Sequence, residues 1–222
     1  MLPDIGIRAI NHIFNSVLRT GYLPGQWKFS QIITVVKPGK PAEEVTSYRP
    51  ISLLPILSKL FEKIFLTRIK PTLQAKRIIP DHQFGFRKEH ATIEQIHLIT
   101  NVINKALESN KYCKAVFLDI SQAFDKVWRE RQIYKIKTIF PDSIYKILKS
   151  YVKNGYFLIK YREEYTSLHP VLSGVPQGSV LGPLLYLFYT AGLPTTTDNT
   201  TANFADDAAV PTMVEKMAYE GK

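Results

Sequence analysis

The stretch Asn203 to Val210, NFADDAAV, sets two carboxylates side by side between short apolar runs. Adjacent carboxylates repel, and apolar surroundings make each harder to ionise. A chain can place such a pair at the tip of a hairpin, where two short strands lead into and out of a tight turn. The pair therefore predicts a sheet, with a chemically active or solvated end, near residue 206. A second acid ends the β-branched and aromatic run KAVFLDI (114–120), where Asp119 closes a predicted buried strand.

The rest of the pattern mixes strands and helices. Apolar residues at helical spacing predict helices over 7–20, stopped by Gly21, and over 55–69. A third follows Thr92, read as its N-cap, and two more run up to Asn154–Gly155. QIITVV (31–36) reads as a strand, KPGKPAEEVTSYRP as a loop, and QAFDKVW as the start of a short helix. YFLIKYREEYTSLHPV reads as a hairpin, and the Gly/Pro-rich SGVPQGSVLGP leads into the helix PLLYLFYTAG. Without strict βαβ alternation, this is an α+β chain of two closely packed parts.

Charge separates the halves. Residues 1–114 hold 17 Lys and Arg against 8 Asp and Glu, whereas the whole chain is +10. A basic first half suits a polyanion such as nucleic acid or a nucleotide triphosphate, and equally suits a solubilising surface. The single cysteine, Cys113, excludes an internal disulfide. Five scattered histidines show no zinc spacing, and no membrane-spanning stretch or membrane partner is expected. Three carboxylates meeting at strand ends call for a cation, and Mg²⁺, an oxygen-seeking ion, suits them. The dipeptide by itself also fits a plain solvated turn.

Further segments, taken in order, carry a resemblance. WKFSQIITVVKPGK, SYRPISLLPILSKLFEKI, HQFGFRKEHAT, AVFLDISQAFDKVW, SGVPQGSVLGPLLYLFY and FADD follow one another along nearly the whole chain. Together they resemble the reverse transcriptases of non-LTR retrotransposons, and most of all the jockey-like elements. The resemblance implies a right-hand polymerase fold, with residues 1–113 as fingers and 114–222 as palm. It also implies that Asp119, Asp206 and Asp207 hold two Mg²⁺ ions, with Mn²⁺ as a substitute, Asp119 and Asp206 contributing most.

Other roles follow residue by residue from the same resemblance. Phe124 matches the aromatic gate against a ribose 2′-hydroxyl, and Gln177 and Gly178 match positions beside the incoming nucleotide and the primer–template. Lys37 and Arg49 match triphosphate contacts. Arg87 and Lys88, after Phe84 and Phe86, form a basic-aromatic cluster suited to template, or a packed loop with charged tips. Asp125 reads as a helix-start residue and is not placed among the ligands.

The expected partners are an RNA template, a DNA primer and dNTPs, in an intracellular setting with action in the nucleus. The chain stops soon after Asp207, so a truncated copy without a thumb is expected. That leaves a second reading, a catalytically inactive nucleic-acid-binding remnant. A third, an RNA-dependent RNA polymerase, is disfavoured by Phe124 and the FADD form.

Overall fold

The computed structural model describes residues 3–87, 90–192 and 201–215. It is mixed α and β, as expected, and divides into two compact units. The first comprises residues 1–78 and 124–189; the second comprises 79–123 and 190–222.

In the first unit, α1 (Asp4–Thr20) ends where Gly21 turns left-handed, at φ 68°, and returns its N–H to Val17. A glycine adopts that conformation without steric cost, so the expected stop at Gly21 is realised. A short 3₁₀ turn (Gly25–Lys28) leads into β1 (Phe29–Val36), which pairs antiparallel with β2 (Tyr48–Leu53). Residues 48–50, read from sequence as loop, thus belong to a strand. Pro50 is tolerated because β2 lies at the edge of its sheet.

The next helix, α2 (Ile56–Ala75), runs past the predicted end at 69 and through Pro71, and it buries Ile69 and Leu73. Phe14, Trp27, Phe61 and Phe65 form an aromatic core with centroid separations of 5.4 to 5.7 Å. Edge-to-face and offset pairs at these distances suit the charge distribution of the rings.

The second unit is a layer of one helix and one sheet. Its helix, α3 (Thr92–Glu108), starts one residue after the non-helical Ala91, which makes no side-chain cap. Thr92 is therefore the first helical residue, not the N-cap. The sheet has the order β3-β8-β7, with β3 at Tyr112–Asp119.

Back in the first unit, α4 (Arg129–Ile139) and α5 (Asp142–Val152) precede β4 (Tyr156–Tyr161). That strand pairs with β1 in parallel and with β5 (Glu164–Tyr165) and β6 (His169–Pro170) antiparallel, so the expected hairpin is present. The apolar α6 (Gly182–Thr190) follows. In the second unit, β7 (Ala202–Phe204) and β8 (Asp207–Val214) complete the sheet. Among the described residues no helix is long and apolar enough to cross a membrane.

Two further expectations fail for physical reasons. QAFDKVW forms turns, not a helix. Gln122 has φ 56°, outside helical space, and the carbonyls a helix would use are taken: Val175 N–H donates to Phe124 and Gly174 N–H to Val127. The run KAVFLDI is not buried either. It is an edge strand whose Val116, Phe117 and Leu118 are all exposed, so Asp119 stands at an open strand end.

Candidate active site

The apolar flanks of the acidic pair form the predicted hairpin. β7 and β8 are antiparallel, with Phe204 opposite Asp207 and only Ala205 and Asp206 between them. Two-residue hairpins favour positive φ at the first turn position, usually with Gly or Asn there. Here that residue is Ala205, at φ 58°.

On its other edge β8 pairs antiparallel with β3 over eight residues, and the pairing ends with Asp119 opposite Asp207. Residues directly opposite in such a pair carry side chains on one face, about 4.5–5.5 Å apart at Cβ. The sheet therefore brings Asp119 and Asp207 together, with Asp206 next in the chain. Asp119 and Asp207 are exposed and Asp206 is half-buried. The Asp207 carboxyl is held above its usual value, first by partial loss of water and then by the charges of Asp206 and Asp119. A cavity of about 380 Å³ beside the pair is lined by Gln95, Ile96 and Ile99 of α3 and by Phe117, Asp119 and Asp207.

Among the described residues, no three His, Cys, Asp or Glu side chains close into a metal-holding cluster. The donor set still fits a hard divalent cation. It offers only carboxylate oxygens, at a sheet end where their charges oppose one another, and Mg²⁺ is commonly held by one or two carboxylates with substrate phosphates completing the shell.

The other predicted site residues lie in the first unit, except those of the HQFGFR loop. Phe124 is half-buried and stacks on Tyr186 at 4.8 Å between centroids, 13° from parallel. Lys37 follows β1, and its N–H extends the ladder to Ser47, while Arg49 lies opposite Val35. The two cations therefore sit on one face of the β1–β2 hairpin. The Lys37 ammonium donates to the Thr46 carbonyl at 2.9 Å. Arg87 turns Nη1 onto the carbonyls of Pro80 and Gln83, at 3.2 and 3.1 Å, and so ties its own loop. Lys88 lies outside the described residues.

The Gln177–Gly178 turn is fixed by Ser52 on one side and Asp125 on the other. Ser52 N–H donates to the Gln177 carbonyl at 2.7 Å, and Gln177 Nε2 donates to Asp125 Oδ1 at 3.2 Å. A carboxylate accepts only, so this contact sets which end of the Gln177 amide faces Asp125. Burial holds the Asp125 carboxyl above its usual value, against a smaller opposing effect from Gln177. Gly178, at φ 104°, has no room for a side chain, since a Cβ would come 2.9 Å from the Ser52 carbonyl oxygen.

Beyond the turn, Glu62 Oε2 accepts the N–H groups of Val180 and Leu181 at 2.8 and 2.9 Å, and Ser58 Oγ donates to Oε1. Glu62 is fully buried, and burial raises its carboxyl above the usual range, against the lowering effect of those hydrogen bonds. It caps the start of α6 from within the core.

Sequence reasoning missed Glu62 and Gln83, and it read Asp125 as a helix-start residue, not as the partner of Gln177. For Glu62 a signal was available: Ser58, Glu62, Phe65 and Ile69 share the buried stripe of α2, where an acid is out of place.

Comparison with known proteins identifies the family of the chain. Residues 35–216 match the family model described as reverse transcriptase (RNA-dependent DNA polymerase). The chain is 47% identical over 196 residues to a Drosophila melanogaster protein named "Probable RNA-directed DNA polymerase from transposon BS", covering 87% of this chain and 22% of that one. It is 42% identical over 220 residues to the "RNA-directed DNA polymerase from mobile element jockey" of the same organism, covering 96% and 24%. The chain thus spans about a quarter of the length of these relatives. Among solved structures, apo telomerase from Candida tropicalis superposes with a TM-score of 0.60 at 14% identity, over 95% of this chain and 44% of that one. At that identity the likeness concerns the fold.

Proposed function

The chain belongs to the reverse transcriptase family, and we propose that it is the polymerising core of a non-LTR retrotransposon enzyme, extending a DNA primer on an RNA template. The observation that carries this reading is the register that sets Asp119 against Asp207, with Asp206 at the adjoining turn.

In this reading residues 1–113 act as fingers and 114–222 as palm, at work on nuclear DNA. The family uses divalent metal ions. Asp119, Asp206 and Asp207 would hold two Mg²⁺, or Mn²⁺ in their place, which when bound lower the charge barrier between primer oxygen and triphosphate. The primer 3′-oxygen loses its proton and bonds to the α-phosphorus of the dNTP, and the bond to the departing pyrophosphate breaks.

The chain's own groups position and select. Lys37 and Arg49 draw the triphosphate to one face of the β1–β2 hairpin. Gln177 presents its amide to the nucleotide, and Gly178 lets the primer–template lie close. The Phe124 ring, braced by Tyr186, excludes a 2′-hydroxyl by its bulk. Arg87 and Lys88 contact template.

Primer extension on an RNA template with dNTPs and Mg²⁺ tests this reading. Incorporation by the wild-type chain that Asp206→Ala abolishes is expected. The basic first half favours a second reading, a nucleic-acid-binding module without turnover. That reading takes over if template is bound but nothing is incorporated.

A further inference from the structure

The HQFGFR segment does something at the acidic turn that its basic-aromatic composition does not announce. Gln83, in the loop before α3, is 4% exposed. Its Oε1 accepts the Ala205 N–H at 2.9 Å, and its Nε2 donates to the Ala205 carbonyl at 3.3 Å. One side-chain amide thus grips both polar groups of the residue that precedes Asp206.

The loop also joins the hairpin as an extra strand-like rung. Asn203 N–H donates to the His82 carbonyl and Phe84 N–H to the Asn203 carbonyl, both at 2.8 Å, as a parallel bridge between Gln83 and Asn203. Gly85 presses against the turn so closely that a Cβ there would come 2.1 Å from the Ala205 nitrogen. Its own N–H shares Gln83 Oε1, at 2.9 Å.

Ala205 needs such a hold. At φ 58° its Cβ crowds the backbone in a conformation that glycine enters without cost. An ungripped alanine relaxes toward negative φ, and that rotation re-aims the next residue, Asp206. We propose that Gln83 is a positioning residue: by holding Ala205 in its left-handed conformation from a loop more than a hundred residues away in sequence, it sets the direction of Asp206 beside Asp119 and Asp207. The inference rests on the polymerase reading for its catalytic meaning, but the hold itself is independent of turnover.

The test compares the whole chain with Gln83→Met, which keeps the volume and removes both hydrogen-bonding ends. Removing the acceptor is expected to speed hydrogen exchange at the Gly85 and Ala205 amides by about tenfold or more, since each loses its partner. Mn²⁺ alone, titrated by electron paramagnetic resonance, is expected to bind about fivefold more weakly, because misdirecting one carboxylate weakens the site. In primer extension kcat falls while KM for dNTP and the affinity for RNA stay within about twofold.

Ala205→Gly in the same background removes the penalty at φ 58° and is expected to return most of the Mn²⁺ affinity. Should Gln83→Met fail to fold, Gln83→Asn shortens the reach while keeping polarity and is read the same way. Unchanged exchange at Ala205, or unchanged Mn²⁺ affinity, overturns the inference. So does an RNA affinity that falls while Mn²⁺ affinity holds, which would make the segment a template contact only. A wild-type chain that incorporates nothing counts against the polymerase reading alone, and the exchange and Mn²⁺ arms still decide the role of Gln83.

Discussion

Asp119 and Asp207 face each other at the end of the β3–β8 ladder, so replacing Asp119 by Asn has a calculable effect on the sheet. With Cβ atoms about 5 Å apart, the two charges lie roughly 5–6 Å from each other. Both side chains are exposed, so the water-like dielectric applies and the repulsion is about 0.7 kcal/mol. At low ionic strength little of it is screened; at physiological salt about half is lost. Asp119→Asn is therefore expected to stabilise the metal-free sheet by about 0.7 kcal/mol, or roughly threefold slower hydrogen exchange at the β3–β8 amides.

Millimolar Mg²⁺ should reverse the order, because the wild-type sheet gains a bound cation and the variant loses part of that site. The assay is exchange at Leu118 and Ala208, opposite each other in the ladder, at low salt with chelator and again with Mg²⁺. An Asp119→Asn sheet that exchanges faster than wild type in chelator would refute the repulsion argument. Equal protection of both proteins by Mg²⁺ would refute the assignment of Asp119 as a ligand.

Other consequences are more local. Gly178→Ala should cost about 1–3 kcal/mol in urea unfolding, since it strains a residue at φ 104° and meets the Ser52 carbonyl. Phe124→Ala should raise incorporation of rNTPs relative to dNTPs by about tenfold or more in primer extension, through loss of the steric exclusion. Glu62 holds its proton more tightly folded than unfolded, so its contribution to stability falls as pH rises from the ordinary value of 4.5 through its raised folded value. Glu62→Gln should flatten that decline in a series of unfolding curves across the window.

What was legible in the sequence was what local chemistry decides. A carboxylate pair between apolar runs can hardly be anything but a turn between strands, and Gly21 can end a helix because of its own backbone freedom. The opposition of Asp119 and Asp207 was not legible, because sheet register is fixed by pairing between segments about ninety residues apart. QAFDKVW has helical character locally, but the Ser173 hydroxyl and the Gly174 and Val175 N–H groups compete for its carbonyls and win. KAVFLDI has the composition of a buried strand, yet it lies at a sheet edge. Gln83 lay in a segment that carried the family resemblance, but its role was not legible there: a loop glutamine acquires that role only when the hairpin folds against it.

The central claim is that Asp119, Asp206 and Asp207 form one divalent-cation site. A Mn²⁺ titration followed by electron paramagnetic resonance, with a dNTP present, compares the wild-type chain with Asp119→Asn, Asp206→Asn and Asp207→Asn. The account predicts saturable Mn²⁺ binding that each substitution weakens by about tenfold, since removing a charged ligand oxygen from a shared site is costly. Saturable binding that survives all three substitutions unchanged would place the cation elsewhere and contradict the account.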